Sequence, residues 1–215
     1  MKQHIIFDLD GTLVDSAPSI LESFSQAFST LGIKPQRPLT PDIIGPPLMQ
    51  TLALLSGETD QALLQALADQ FKQYYDTEGY KSTMVYPEVQ HLLEQLNESD
   101  TKQYIATNKR HLPTQKIMAH LGWLSLFNGV FALDSFHPSI TSKALLLAHV
   151  LADNAIDPAQ AIYIGDRYED GLAADHNKLA FTMVTWGYAD AASSDAKPHW
   201  QQCDHVKDLQ SLLIH

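Results

Sequence analysis

The sequence predicts an α/β chain in which a parallel sheet is covered by helices on both faces and a helical block is inserted after the first strand. Three observations predict it. The chain opens on an apolar, β-forming run, Ile5-Ile6-Phe7, that stops at acidic residues. From Pro87 onward short apolar runs alternate with helical patterns, the texture of a sheet covered on both sides. Between the two, residues of about 15 to 81 are helical and proline-broken. A lone first strand has no partner for its backbone groups, so it must join the later sheet. The helical block then lies beside that strand's carboxyl end, where open α/β sheets bind ligands.

Each element has its own signal. Ile20, Leu21, Phe24, Ala27, Phe28 and Leu31 recur at three and four and stop at Gly32, which predicts one amphipathic helix. Ile43-Ile44-Gly45-Pro46-Pro47-Leu48 reads as a turn entering a short helix, and a longer helix follows from about Thr59. Val89 to Leu96 is a helix, Gln103 to Thr107 a strand, and Pro113 to Leu121 the next helix. Val130 to Asp134 is a third strand, with a helix from about Ser142 to Asn154. Ala161 to Gly165 and Phe181 to Thr185 supply two more strands, and Val206 to Leu213 a final helix. The polar, Ala-rich stretch Ala189 to Lys197 is expected to be a mobile surface loop.

Composition narrows the partners. With 45% hydrophobic and 18% charged residues, the 215-residue chain is ordinary for a globular protein with a sizeable core. A formal charge of −11 argues against general affinity for nucleic acid or an anionic membrane. The single cysteine, Cys203, allows no internal disulfide, and no apolar run reaches the length of a signal core or a membrane span. The expectation is a cytoplasmic monomer or homodimer with a small-molecule partner.

The chemistry sits at the strand ends. Asp8 and Asp10 follow the first strand at i and i+2, and strand alternation gives them one lateral direction if the extended geometry persists. Two adjacent carboxylates repel, so a cation, a proton or a basic side chain is expected between them. Gly11 lets the backbone turn and Thr12 offers a hydroxyl. Thr107-Asn108-Lys109 closes the second strand with a hydroxyl, an amide and a cation ahead of a helix, either a capped polar turn or an anion site. Lys143 lies in the first turn of a helix, where the dipole disfavours a cation; it is either solvated or relieved by an anionic partner. Asp166 and Asp170, beyond Gly165, are either a helix cap with an acidic first turn or a second carboxylate cluster. All four features fall at carboxyl ends of strands in one sheet. Together they offer hard oxygens for a divalent cation and donors for a phosphate.

These motifs resemble the haloacid dehalogenase-like hydrolases, in the branch with a helical cap that includes phosphoglycolate phosphatases. Asp8-Leu9-Asp10-Gly11-Thr12-Leu13-Val14-Asp15-Ser16 is similar to the family's first motif, Thr107-Asn108-Lys109 to its second, Lys143 to its third, and Gly165-Asp166 with Asp170 to its fourth, in the family's order. The resemblance implies a Rossmann-like core of residues 1–14 and 82–215 and a helical cap of residues 15–81. It implies a nucleophile at Asp8, which forms a phosphoaspartyl intermediate, and a general acid and base at Asp10. It also implies Mg²⁺ held by Asp8, Asp10 (through its backbone carbonyl) and Asp166 with Asp170 tuning the cluster, and phosphoryl binding by Thr107 and Lys143, with Asn108 and Gly45 facing the substrate.

The implied reaction is hydrolysis of a small phosphomonoester such as phosphoglycolate, a nucleotide or a sugar phosphate. Asp10 argues against dehalogenation, since the dehalogenases lack an acid there, and it also argues against a non-catalytic phospho-ligand binding module. A sugar-phosphate mutase would share every residue named. Two features depart from the family pattern. Arg167 stands where a small hydroxyl residue is usual, and is expected to contact phosphate, pair with Glu169 or be solvated. Asp175-His176-Asn177-Lys178 is unusually polar, which is read as exposure.

Overall fold

The computed structural model describes residues 2–188 and 196–214. Its sheet has six strands, all parallel, in the order β5-β4-β1-β6-β7-β8: β1 His4–Phe7, β4 Lys102–Thr107, β5 Gly129–Ala132, β6 Ala161–Gly165, β7 Ala180–Val184 and β8 Gln201–Cys203. The first strand lies in the middle, hydrogen-bonded to β4 on one side and β6 on the other. It therefore joins the later sheet as its apolar, two-sided sequence requires.

Alternation along β1 sends Ile5 and Phe7 to one face and Ile6 to the other. The first face is covered by α4 (Val89–Glu98) and α8 (Val206–Ile214), through Leu92, Leu93, Leu96, Leu209 and Leu213. The second is covered by α6 (Lys143–Asp153) and α7 (Tyr168–His176), through Leu146, Leu147, Val150, Ala173 and Ala174. α5 (His111–His120) follows β4 and adds Met118 to the first face.

The helical block between β1 and α4 has its own apolar cluster. In it α1 (Ala17–Thr30), α2 (Leu48–Ser56) and α3 (Gln61–Tyr75) bury Phe24, Phe28, Leu52, Leu55, Leu67 and Phe71 against one another. The chain enters and leaves this block at one place, because β2 (Val14–Asp15) pairs antiparallel with β3 (Met84–Val85). Tyr188, from beyond β7, also packs into the block's cluster.

Three local expectations change. The strand read to Asp134 ends at Ala132, because Asp134 turns away and accepts the His111 N–H at 2.7 Å, at the start of α5. β8 had no apolar signal, since Gln201 and Gln202 are exposed on an edge strand. The polar stretch at Asp175 is more than exposure: Asp175 accepts from Lys197 at 2.7 Å, His199 Nε2 at 2.8 Å and Trp200 Nε1 at 3.1 Å, tying α7 to the strand ahead. The expected mobile loop at Ala189 to Lys197 lies outside the described residues over 189–195. No described helix is long and apolar enough to cross a membrane.

Burial alone would raise the Asp175 carboxyl, but the hydrogen bonds from Lys197, His199 and Trp200 prevail and hold it down at about 2, against an ordinary 3.8. A depressed folded-state pKa stabilises above the unfolded value and is lost as pH falls through the folded one. Asp175→Asn should therefore lower the melting midpoint at neutral pH, with the gap from wild type closing as pH falls from about 4 toward about 2. Paired thermal melts across that range check it; a gap that does not change with pH would contradict it.

Candidate active site

β1 ends at Phe7 and delivers Asp8, and the chain then turns. Gly11 takes φ +81°, and a Cβ there would lie 2.2 Å from Asp166 Oδ2, so both the turn and the close approach require glycine. That approach brings the first-strand carboxylate beside the acids after β6. Asp8, Asp166 and Asp170 are all buried, and each offers one carboxylate oxygen within 4.8 Å of the others. Lys143, at the start of α6, reaches into this group: its Nζ lies 2.9 Å from Asp8 Oδ1 and 3.1 Å from Asp170 Oδ1, and donates to the Tyr163 hydroxyl at 2.9 Å. The cation that the helix dipole disfavours is thus paired with acids.

Burial and charge set the protonation. Burial pushes the Asp8 carboxyl up to about 6, against the pull of Lys143 and with the help of Asp170 and Asp10. Burial, then Asp170 and Asp8, drive Asp166 well above the usual carboxylate range, although the Tyr188 N–H donates to its Oδ2 at 2.7 Å. Burial works against charge on Lys143, but Asp170 and Asp8 outweigh it and hold the ammonium form. Three acids around one lysine leave negative charge in excess, a donor set that suits a hard divalent cation.

Asp10 stands apart from this group. β1 ends at Phe7, before either acid, and each acid has its own lysine. Lys109 Nζ lies 3.0 and 3.1 Å from the two Asp10 oxygens and 4.6 Å from the Tyr75 ring centroid, and the Ser16 hydroxyl donates to Asp10 Oδ1. Thr107 is buried, with its hydroxyl accepting from the Lys109 N–H at 3.2 Å. Asn108 donates to the Gly45 carbonyl at 3.0 Å, which leaves its buried Oδ1 without a hydrogen-bond partner.

Two cavities meet at Asp8, on either side of Gly45 and Pro46. One, of about 70 Å³, lies under the helical block and is lined by Asp8, Asp10, Thr107, Asn108 and Lys109 among others. The other, of about 480 Å³, is lined by Asp8, Lys143, Arg167 and Asp170 among others. Of Asp8, Asp10, Gly45, Thr107, Asn108, Lys143, Asp166 and Asp170, all line one or other of these cavities except Asp166, which is fully buried.

Of the three alternatives for Arg167, the pairing with Glu169 is present and the solvated side chain is not. Arg167 is buried and donates from Nη1 to the carbonyls of Ile44 at 2.6 Å, Tyr188 at 3.3 Å and Asp42 at 3.4 Å, with Glu169 3.7 Å from Nε. Gly45 is shaped to it: at φ +122° a Cβ would stand 2.5 Å from Arg167 Cδ. Sequence reasoning also passed over Tyr163, inside β6 and indistinguishable there from a core aromatic. The resemblance takes in Trp186-Gly187-Tyr188 but assigns Tyr188 no contact; its hydroxyl accepts the Ser16 and Ala17 N–H groups at 2.6 and 2.9 Å at the start of α1.

Residues 5–184 match the haloacid dehalogenase-like hydrolase family, and the chain belongs to that family of hydrolases. It is similar to the tyrosine-protein kinase PtkA of Mycobacterium tuberculosis, 31% identical with 96% of this chain and 72% of the relative covered. It is 30% identical to a phosphoglycolate phosphatase of Cereibacter sphaeroides, over 98% of this chain and 97% of that one. Among solved structures, a haloacid dehalogenase-like hydrolase from Streptococcus pneumoniae superposes with a TM-score of 0.83 at 27% identity, covering 98% of each chain.

Arg167→Ala removes a buried cation that satisfies loop carbonyls, and should cost about 2 kcal/mol in urea unfolding. Arg167→Lys should recover less than half of that, because an ammonium cannot span the same carbonyls from a fixed fork. Equal stability of the alanine variant and wild type would contradict the contact's role.

Proposed function

We propose that the chain is a Mg²⁺-dependent phosphatase that hydrolyses a small phosphorylated metabolite through a phosphoaspartyl intermediate at Asp8. The observation that carries this reading is the placement of Asp8: buried, paired with Lys143, grouped with Asp166 and Asp170, and open to a cavity it shares with Asp10 and Thr107. The family membership supports it, as do the names of the phosphatase relatives.

In this reading an Asp8 oxygen attacks phosphorus and the bond from phosphorus to the leaving oxygen breaks, with Asp10 giving that oxygen its proton. Asp10 then takes a proton from water, the water oxygen attacks phosphorus, and the Asp8 carboxylate is regenerated as phosphate departs. Lys143 and Thr107 bind the phosphoryl oxygens, and Lys143 shields Asp8 from the incoming negative charge. Mg²⁺ would be held by Asp8 and Asp166, with the Asp10 carbonyl and with Asp170 beside it, and supplies the charge neutralisation that lets an anionic nucleophile meet an anionic ester. Residues 15–81 act as the cap, which excludes water and meets the leaving group, over a core of residues 1–14 and 82–215. Asn108 and Gly45 fix the wall of the substrate cavity through their mutual hydrogen bond.

A phosphate-release screen over phosphoglycolate, nucleoside monophosphates and sugar phosphates, with Mg²⁺ and with chelator, tests the reading. Wild type should release phosphate only with the metal, and Asp8→Asn should lose at least about 10³-fold in kcat/KM. Activity that survives in Asp8→Asn would remove the nucleophile. Dependence on a bisphosphate activator with conservation of total ester phosphate would identify a mutase instead. Transfer from ATP to a tyrosine peptide, the activity in the mycobacterial relative's name, should be absent.

A further inference from the structure

The cavity under the helical block carries information on the leaving group. We infer that it takes a compact, uncharged alcohol and disfavours a carboxylated one, an inference that rests on the phosphatase reading above. Size comes first. The cavity measures about 70 Å³, and an apolar cavity of about 150 Å³ takes one benzene ring, so the space admits about two or three carbon atoms beyond the phosphoryl group.

Charge comes second. The wall is apolar, formed by Ile20, Phe24, Ile43, Ile44 and Phe71, and the acids Asp8 and Asp10 border the same space. Its two cations are already paired with acids. Lys109 is bound to both Asp10 oxygens. Arg110 makes a two-pronged contact with Asp76, and Asp76 is itself held in place by Lys116 Nζ, which donates to its carbonyl at 2.6 Å. A substrate carboxylate entering here would meet mostly apolar surface, two acids and cations already neutralised, with only neutral hydroxyls such as those of Thr51 and Tyr75 to offset its desolvation.

Hydrogen bonding adds a third, independent observation. Asn108 lines the cavity with its amide oriented by donation to Gly45, and its Oδ1 is buried without a partner, as is the hydroxyl of Tyr75 on the same lining. An orphaned acceptor calls for a donor. A hydroxyl on the leaving group supplies one, whereas a carboxylate presents only further acceptors.

The test compares 2-hydroxyethyl phosphate with phosphoglycolate, which has the same chain length and a carboxylate in place of the terminal hydroxymethyl group. Wild type should favour the neutral ester by at least about tenfold in kcat/KM. Asp76→Ala frees Arg110 beside the cavity and should move the ratio at least about fivefold toward phosphoglycolate. The ratio is unaffected by any fall in the active fraction, so a merely structural loss leaves it fixed. A wild-type preference for phosphoglycolate, or an unchanged ratio in Asp76→Ala, overturns the inference. Failure on both esters with release from bulkier monoesters also overturns it alone. No release from any monoester overturns the phosphatase reading and this inference with it.

Discussion

The structure depends on one electrostatic constraint: buried carboxylates from two distant parts of the chain share a lysine at the carboxyl edge of a parallel sheet. Asp8 follows β1, Asp166 and Asp170 follow β6, and Lys143 comes from α6 between them in sequence. None of these groups is comfortable alone in the interior, since burial lifts Asp8 and Asp166 and works against the charge on Lys143. Their sum is still acidic, and that residual charge makes the edge receptive to a cation. The sheet order supplies the proximity, because β1 lies between β4 and β6.

The helical block is fastened to that edge by polar contacts that converge on its loop and its ends. Arg167 and Asn108 hold Ile44 and Gly45, Arg110 holds Asp76 after α3, and the Tyr188 hydroxyl holds the start of α1. Arg167, Asn108 and Arg110 are in the candidate site or within a few residues of one of its members, and Tyr188 donates its own N–H to Asp166 Oδ2. The placement of the block and the arrangement of the acids thereby share residues: Arg167, for example, is the chain neighbour of Asp166. The Arg110 contact with Asp76, together with the pairing of Lys109 with Asp10, leaves neither cation unpaired at the enclosed cavity.

Much of this was legible in the sequence, and the reasons differ by element. The strands β1, β4 and β6 were readable because they are buried on both faces and end abruptly in polar residues. The acids and Lys143 were readable because such groups are rarely placed at strand ends and first turns without partners. What could not be read depended on through-space neighbours. Nothing in the local pattern distinguishes Arg167 as a buried donor from a surface arginine, since its carbonyl acceptors on Asp42 and Ile44 lie more than a hundred residues earlier and that on Tyr188 lies beyond the next helix and strand. Tyr163 looks like any strand aromatic, and the polar edge strand β8 carries no apolar period. The separate lysine partners of Asp8 and Asp10 also escaped, because they come from α6 and from the turn after β4.

The central claim, that the excess acid at the sheet edge is a site for Mg²⁺, is tested most directly by calorimetric titration of the metal into wild type and Asp166→Asn in two buffers of different ionisation enthalpy. The account predicts one Mg²⁺ per chain in wild type with proton release, since burial favours the protonated form of Asp166 and, near pH 6, of Asp8, and binding weakened at least about tenfold in the variant. Absence of binding in wild type, or equal affinity in Asp166→Asn, would contradict it.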